Sequence, residues 1–248
     1  MADGSVWQPL LAELDHWRQS GRRAPLWLRD DDAVEPTAAL DRLLEVVNRH
    51  AIPATLAVIP AHARASLSAR LAPENRITVA VHGWAHDNHA PAGEKKQELG
   101  PHRQPELVLA ELSEAKVVID RQFAGQVAAV LVPPWNRIDA GLLPSLGEIG
   151  FAALSVFGRA RPAPISLVNT HVDIIDWHGG RGGKDHGELA QELAEELRWR
   201  READSSEAVG VLTHHLVHDE TAWLFLEDLF AATAVHPACR WMSVRDLI

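Results

Sequence analysis

Asp30, Asp31 and Asp32 stand in a row behind the apolar residues 26–28, and two histidines four apart, His82 and His86, follow the apolar residues 77–81. Neighbouring carboxylates raise one another's pKa, so three together call for a positive partner, and a divalent metal is the simplest one. His82-Gly-Trp-Ala-His86, on a helical turn or in a tight loop, presents two imidazoles to one side, as chelation requires. One carboxylate with two imidazoles leaves coordination positions for water and substrate, the pattern of a catalytic site. Each feature alone has a plainer explanation, a solvated turn for the aspartates and a helix surface for H-x-x-x-H. Their shared position at the ends of apolar runs favours the metal.

Other chemistry-bearing residues end further apolar runs. Pro133-Pro134-Trp135 follow residues 127–132, Asp173 and Asp176-Trp177 close residues 167–175, and His214-His215 follow residues 208–212. These runs, with 54–59 and 152–157, are short and lack polar alternation, which marks strands buried on both faces and therefore parallel. Helical stripes lie between them: Leu40, Leu43, Leu44 and Val47; Leu107, Leu109, Leu112, Val117 and Ile119; Leu142, Leu146 and Ile149; Leu189, Leu193 and Leu197. About seven strand-helix units without a dinucleotide fingerprint predict an α/β fold, a (β/α) barrel, in which the carboxyl ends of all strands meet on one face. Leu10, Leu11 and Leu14 predict an extra helix before the first strand, within an extension over residues 1–24 of a single domain. The glycine-rich residues 178–187 lack phosphate-loop spacing and read as a mobile loop, and residues 198–207 read as a solvated, charged helix end.

With 248 residues, 46% of them hydrophobic, the chain can bury one sizeable core. Its 34 acidic residues outnumber 24 basic ones, for a formal charge of −10, which argues against nucleic acid or anionic lipid as partner. Cys239 is the only cysteine, so no intrachain disulfide and no cysteine-rich zinc site can form. The opening residues lack a basic region and a signal-length apolar run, and no later stretch would span a bilayer, so a cytoplasmic location is expected.

Five stretches, from about residue 26 to 219, resemble the polysaccharide deacetylase group, also called the NodB-homology domain or carbohydrate esterase family 4. Arg29-Asp30-Asp31-Asp32-Ala33 is similar to the family's T-F-D-D-G, with Ala51-Ile-Pro-Ala-Thr-Leu56 like the segment that follows it. His82-Gly-Trp-Ala-His86 is similar to H-[ST]-x-x-H, Val132-Pro-Pro-Trp135 to R-x-P-Y, Asp173-Ile-Ile-Asp-Trp177 to D-x-x-D-W, and Leu212-Thr-His214 to the closing L-x-H. The resemblance implies a distorted, seven-stranded (β/α) barrel. It also implies a general base followed by a metal ligand in the first motif. Placing Ala33 on the family's small residue makes these Asp31 and Asp32; sliding by one makes them Asp30 and Asp31. The first keeps Leu28 in the apolar register. Asp32, His82 and His86 then hold the ion, with zinc preferred over cobalt, nickel, manganese or iron. Three departures stand out: Ala33 replaces glycine, Gly83 replaces serine or threonine, and Val132 replaces the arginine that braces the base. Arg29 or Arg137 takes over that role, or the substrate's charge differs.

The implied reaction removes an acetyl group from an N- or O-acetylated sugar. A divalent ion supplies an acidified water and polarises the acyl oxygen. Asp31 accepts the water's proton, the Trp135 backbone N–H faces the oxyanion, and His214, oriented by Asp173, protonates the departing group. Pro134, Trp135 and Trp177 are the expected substrate contacts, and His215 remains the other candidate for the acid. Hydrolysis of a small ureide or cyclic amide is the main alternative. A non-haem iron oxygenase is disfavoured by the parallel pattern, and a sugar-binding module would not need both a base and an acid.

Overall fold

The computed structural model describes residues 5–248, so the reading of a missing leader rests partly on residues 1–4, which lie outside the described residues. Helix α1 (Gln8–Gln19) precedes β1 (Ala24–Ala33), then α2 (Ala38–Arg49), β2 (Ala54–Val58), α3 (Ala65–Leu71), β3 (Ile77–His82), α4 (Pro105–Gln122) and β4 (Val127–Val132). The second half contains α5 (Leu143–Leu146), β5 (Ala153–Leu154), β6 (Ser166–Leu167), β7 (Val172–Asp173), α6 (His186–Glu202), β8 (Val209–Thr213), α7 (Glu220–Thr233) and β9 (Cys239–Trp241). Every strand pair is parallel, in the order β6-β5-β4-β3-β2-β1-β8-β7, with β9 joining β1. The sheet curls into a half-barrel ringed by helices, as the α/β reading expects.

Among the described residues there are nine strands rather than seven, for two local reasons. The apolar run 167–175 is broken by Asn169, Thr170 and His171 and divides between β6 and β7, and β9 is too short and polar to register as a run. The α4 stripe also shifts: Leu107 and Val117 are exposed, and Val108, Leu112, Ala115 and Ile119 face the core. The extra N-terminal helix forms and lies on α6, where the Trp17 indole donates to the Leu197 carbonyl and buried Glu13 pairs with Arg201 at 2.6 Å.

The period of two along each strand sorts the side chains into two layers. Leu26 and Leu28 of β1, Leu56 and Val58 of β2, and Val79 and Val81 of β3 pack outward against helices such as α2, through Leu40, Leu43 and Val47. Trp27, Ala57, Ala80, Val130, Val132 and Ala153 face the interior. The same parity carries Arg29 and Asp31, His82, and Asp173 to the inside, and sends Asp30 to the helix side.

The charged segment 198–207 is mostly exposed, as the solvated reading expects, with Arg200 as the exception. Arg200 is fully buried, donating to the carbonyls of Glu196 and Glu207 and pairing with the Glu196 carboxylate at 2.5 Å. An arginine at the interior edge of a helix is tolerated because Nε and Nη1 donate to oxygens and Nη2 lies 3.3 Å from the Glu207 carboxylate. The glycine-rich segment is likewise tied down. Gly183 forms a bridge with Ile175 and donates to Asp219, Asp176 receives the Arg181 N–H at its carbonyl, and the Lys184 N–H reaches the Ile174 carbonyl. Asp219 also caps α7 through Ala222 N–H.

Candidate active site

Regular alternation would turn Asp31 and Asp32 to opposite faces of β1. The pairing of β1 with β2 slips between Asp30 and Ala33, and Asp32 takes a φ of 74°, so both carboxylates enter one cavity. A left-handed φ at a non-glycine residue costs energy and persists where the surroundings fix it. His86 has a φ of 61° as well, and residues 83–86 form a tight loop rather than a helical turn.

These distortions bring three donors together. Asp32 Oδ1 lies 3.1 Å from His82 Nε2 and 3.4 Å from His86 Nε2, and one ligand atom from each residue falls within 4.8 Å of the others. His82 Nδ1 donates to the Val132 carbonyl at 2.9 Å, which leaves the Nε2 lone pair of the neutral ring for an ion. Burial raises the Asp32 carboxyl, but the hydrogen bond and charge of His82, reinforced by His214 and His86, prevail and hold it far below the carboxylate range. Burial works against a charged His82, yet the Asp32 hydrogen bond and the two aspartate charges raise it; His86 is lowered by burial and by His82. Opposed shifts of this kind in one cluster mark a place where a cation would replace the protons.

Asp31 is buried against Arg29. The guanidinium Nε lies 2.9 Å from Oδ1 and Nη2 donates to Oδ2 at 3.0 Å, while Nη1 reaches the backbone and hydroxyl oxygens of Ser155 and Nη2 also the Asn136 side chain. Arg29 therefore occupies the bracing position left by Val132. Arg137 forms no ion pair with Asp31 among the described residues and instead donates to the Lys96 carbonyl.

The paired histidines separate by the same parity. His214 faces the cavity, with Nε2 4.0 Å from Asp31 Oδ2, whereas His215 turns to the helix side, where its ring Nδ1 and backbone N–H both meet the fully buried Asp30. Burial disfavours a charged His215, but the Asp30 charge and hydrogen bond raise it. Asp30 is thus absent from the cavity lining, and the register with Asp31 and Asp32 is the one that faces it.

Asp173 reaches the cavity but does not bond to His214. Its oxygens accept from Ile175 N–H at 3.0 Å and the Trp177 indole at 2.8 Å, and burial raises its carboxyl pKa. His214 Nδ1 is buried with no hydrogen-bond partner among the described residues. The connection runs through Trp177, whose ring meets His214 edge-on at 4.7 Å. Trp135, at φ 55° behind two prolines, lines the cavity and packs on His86 at 4.3 Å. Pro134, expected as a substrate contact, is buried outside the lining, where it covers Gly83.

Glu98 escaped the sequence reading. It is buried and accepts the N–H groups of Trp84 at 3.0 Å and Ala85 at 2.7 Å, fixing the loop between the two histidines. A Cβ on Gly83 would lie 2.0 Å from Glu98 Oε2 and 2.6 Å from Pro134 Cδ, which explains glycine where the related motif has a hydroxyl residue. No local pattern links residue 98 to residues 84 and 85, and Glu98 follows the charged Glu94-Lys95-Lys96, which reads as a solvated stretch.

The cavity spans about 510 Å³ and contains Asp31, Asp32, His82, His86, Asp173 and His214 together. Comparison with known proteins bears on the family and the fold. The polysaccharide deacetylase family model matches residues 20–154. A Mycobacterium smegmatis protein provisionally named a polysaccharide deacetylase shares the fold at TM-score 0.68 and 15% identity, over 92% of this chain and 89% of that one. A family 4 carbohydrate esterase from Streptomyces lividans, solved with acetate, gives 0.54 at 14% identity, over 84% and 87%. A family 4 acetyl xylan esterase from Clostridium thermocellum, solved with a cobalt ion, gives 0.54 at 14%, over 90% and 89%. No curated protein sequence matches. The family match runs from before β1 through β5, more than half of the chain, and takes in the bulged aspartates and both histidines His82 and His86: the chain belongs to the polysaccharide deacetylase family and is a hydrolase.

Proposed function

We propose that this chain removes acetyl groups from an acetylated sugar or oligosaccharide with the help of one divalent metal ion. The observation that carries the reading is the convergence, in one cavity, of the Asp32, His82 and His86 donors with the braced carboxylate Asp31 and the exposed edge of His214. The donor set fits a divalent ion: two imidazoles and a carboxylate suit zinc first, and cobalt, nickel, manganese or iron as well. Bound there, such an ion supplies Lewis acidity toward the acyl oxygen and toward water.

The chain's own groups complete the reaction. Asp31, fixed in direction by Arg29, accepts the proton of the attacking water at a carboxylate oxygen. The Trp135 backbone N–H, set at the cavity wall by the left-handed turn after Pro134, is the donor offered to the oxygen that becomes negative. His214 gives its proton to the departing amine or alcohol, so that water and the acetylated substrate become acetate and the free sugar. Trp177 holds the edge of the His214 ring, and Asp173 holds Trp177. A cytoplasmic location remains part of this proposal, and no helix of the described residues is long and apolar enough to cross a membrane.

Acetate release from N-acetylated chito-oligosaccharides and O-acetylated xylo-oligosaccharides by zinc- or cobalt-loaded protein tests the reading. Release in the wild type, reduced at least 100-fold in Asp31→Asn and in His214→Ala, supports it. Ring opening of small cyclic amides without release of acetate from any sugar would overturn it.

A further inference from the structure

We propose that the acetylated substrate carries a carboxylate or phosphate group, recognised by a cationic wall made of Lys96, Arg137 and Arg181. The inference rests on the deacetylase reading above and deepens it.

All three side chains line the same cavity as the aspartates and histidines, although they come from three separate segments of a chain whose formal charge is −10. None of them forms an ion pair with a carboxylate among the described residues. The arginines nearby in other settings do: Arg103 is held by Glu111 and Arg159 by Glu196.

The acids of the cavity are already engaged. Asp31 is matched by Arg29 on both oxygens, Asp32 sits between His82 and His86, and Asp173 accepts from Trp177 and Ile175. A divalent ion at Asp32 would add positive charge rather than remove it. With Arg29, the wall cations outnumber the carboxylates Asp31, Asp32 and Asp173, so the field over the cavity is positive, and it would draw in an anion and slow its departure.

Two of the cations make contacts at the cavity rim, Lys96 from an exposed position. The Arg137 Nη1 donates to the Lys96 carbonyl at 3.0 Å, and the Lys96 ammonium lies 5.8 Å from the Trp135 ring centre. Arg181 sits at φ 55° in the glycine-rich loop, whose bonds to Asp176, Ile174 and Asp219 fix its path beside the cavity. Guanidinium forks match the planar or trigonal oxygens of a carboxylate or phosphate.

The test compares three substrates of one core: N-acetylglucosamine, N-acetylglucosamine 6-phosphate and N-acetylmuramic acid. The last two distinguish phosphate from carboxylate. The expected result is a kcat/KM at least tenfold higher for one or both anionic sugars, carried in KM and shrinking in 0.5 M salt, on the scale of screened contacts (roughly a 4 Å Debye length). In Lys96→Gln/Arg181→Gln, shown by its melting curve to be folded, the ratio falls to near one. Calorimetric titration with glucosamine and glucosamine 6-phosphate reads the same preference without turnover. Equal kcat/KM for all three sugars with equal product affinities overturns the anion proposal and leaves the deacetylase reading standing. A preference that persists in the double variant also overturns it. Absence of acetate release from every sugar is the failure of the underlying reading, and calorimetry then decides the anion site by itself.

Discussion

Arg29 and Asp31 lie two residues apart on the interior face of β1, and the guanidinium meets both oxygens of the carboxylate. The i, i+2 spacing of a strand makes this contact, so the brace and the base are fixed by one stretch of backbone. The contacts of Asp32 with His82 and His86, and of His214 with Asp31, instead cross from strand to strand and depend on the sheet's curl.

Replacing Arg29 with Met leaves a buried carboxylate and three oxygen acceptors without their donor. Loss of one partner of a buried pair costs about 3–5 kcal/mol. Urea unfolding should register that loss, and acetate release should fall at least 100-fold in the fraction that remains folded. Arg29→Lys should recover part of the stability and little of the activity, because an ammonium cannot reproduce the fork. Stability within about 1 kcal/mol of wild type in Arg29→Met would show that Asp31 needs no brace.

Glu98 fixes the loop that aims His86. Glu98→Ala should lower metal affinity by about 10–100-fold, the range typical of outer hydrogen-bond partners of ligands. Gly83→Ala should act more harshly, since the added methyl meets Glu98 and Pro134 and the backbone sits at φ 58°. Competition with a chromophoric chelator measures both. Unchanged affinity in both variants would mean that the loop keeps its shape without Glu98.

His218 supplies a pH signature away from the ligands. Its ring bonds to the Thr213 hydroxyl and stacks edge-on against Trp223, and burial pushes its pKa down to about 4. The unfolded chain then binds the proton more readily than the folded one, so this residue's contribution is present above about pH 6.5 and is lost as pH falls toward 4. The loss is on the order of 3 kcal/mol at its fullest. His215 works in the opposite sense, since its raised pKa favours the folded state below pH 6.5 and that gain fades as pH rises. Comparing the stability of wild type and His218→Gln between pH 7 and 4 isolates the first effect. A shallower acid slope in the variant is expected, and identical slopes would contradict it.

Much of the architecture was legible because short unalternating apolar runs between helical stripes fit strands covered on both faces, whose ends then meet. Parity would also have separated His214 from His215 and Asp31 from Asp30, since Leu28 and Val211 lie outward and set the phase of their strands. The bulge at Asp32 was not legible: its φ of 74° arises from the slipped pairing with β2, a tertiary event. Arg200 looked solvated because its oxygen partners include backbone carbonyls that a charge pattern does not show. Glu98 was missed for the same reason, as it acts on N–H groups and not on side chains. Asp173 was matched to His214 by motif, whereas the geometry routes it through Trp177.

The account depends most directly on whether Asp32, His82 and His86 hold a single divalent ion. Mass-spectrometric metal content of protein purified without a histidine tag, after chelation and reloading with zinc or cobalt, measures this. One tightly held ion per chain is expected in the wild type, and loss of that ion together with acetate release in His82→Ala/His86→Ala. An unchanged ion content in the double variant, or full activity in chelated protein free of metal, would contradict the account.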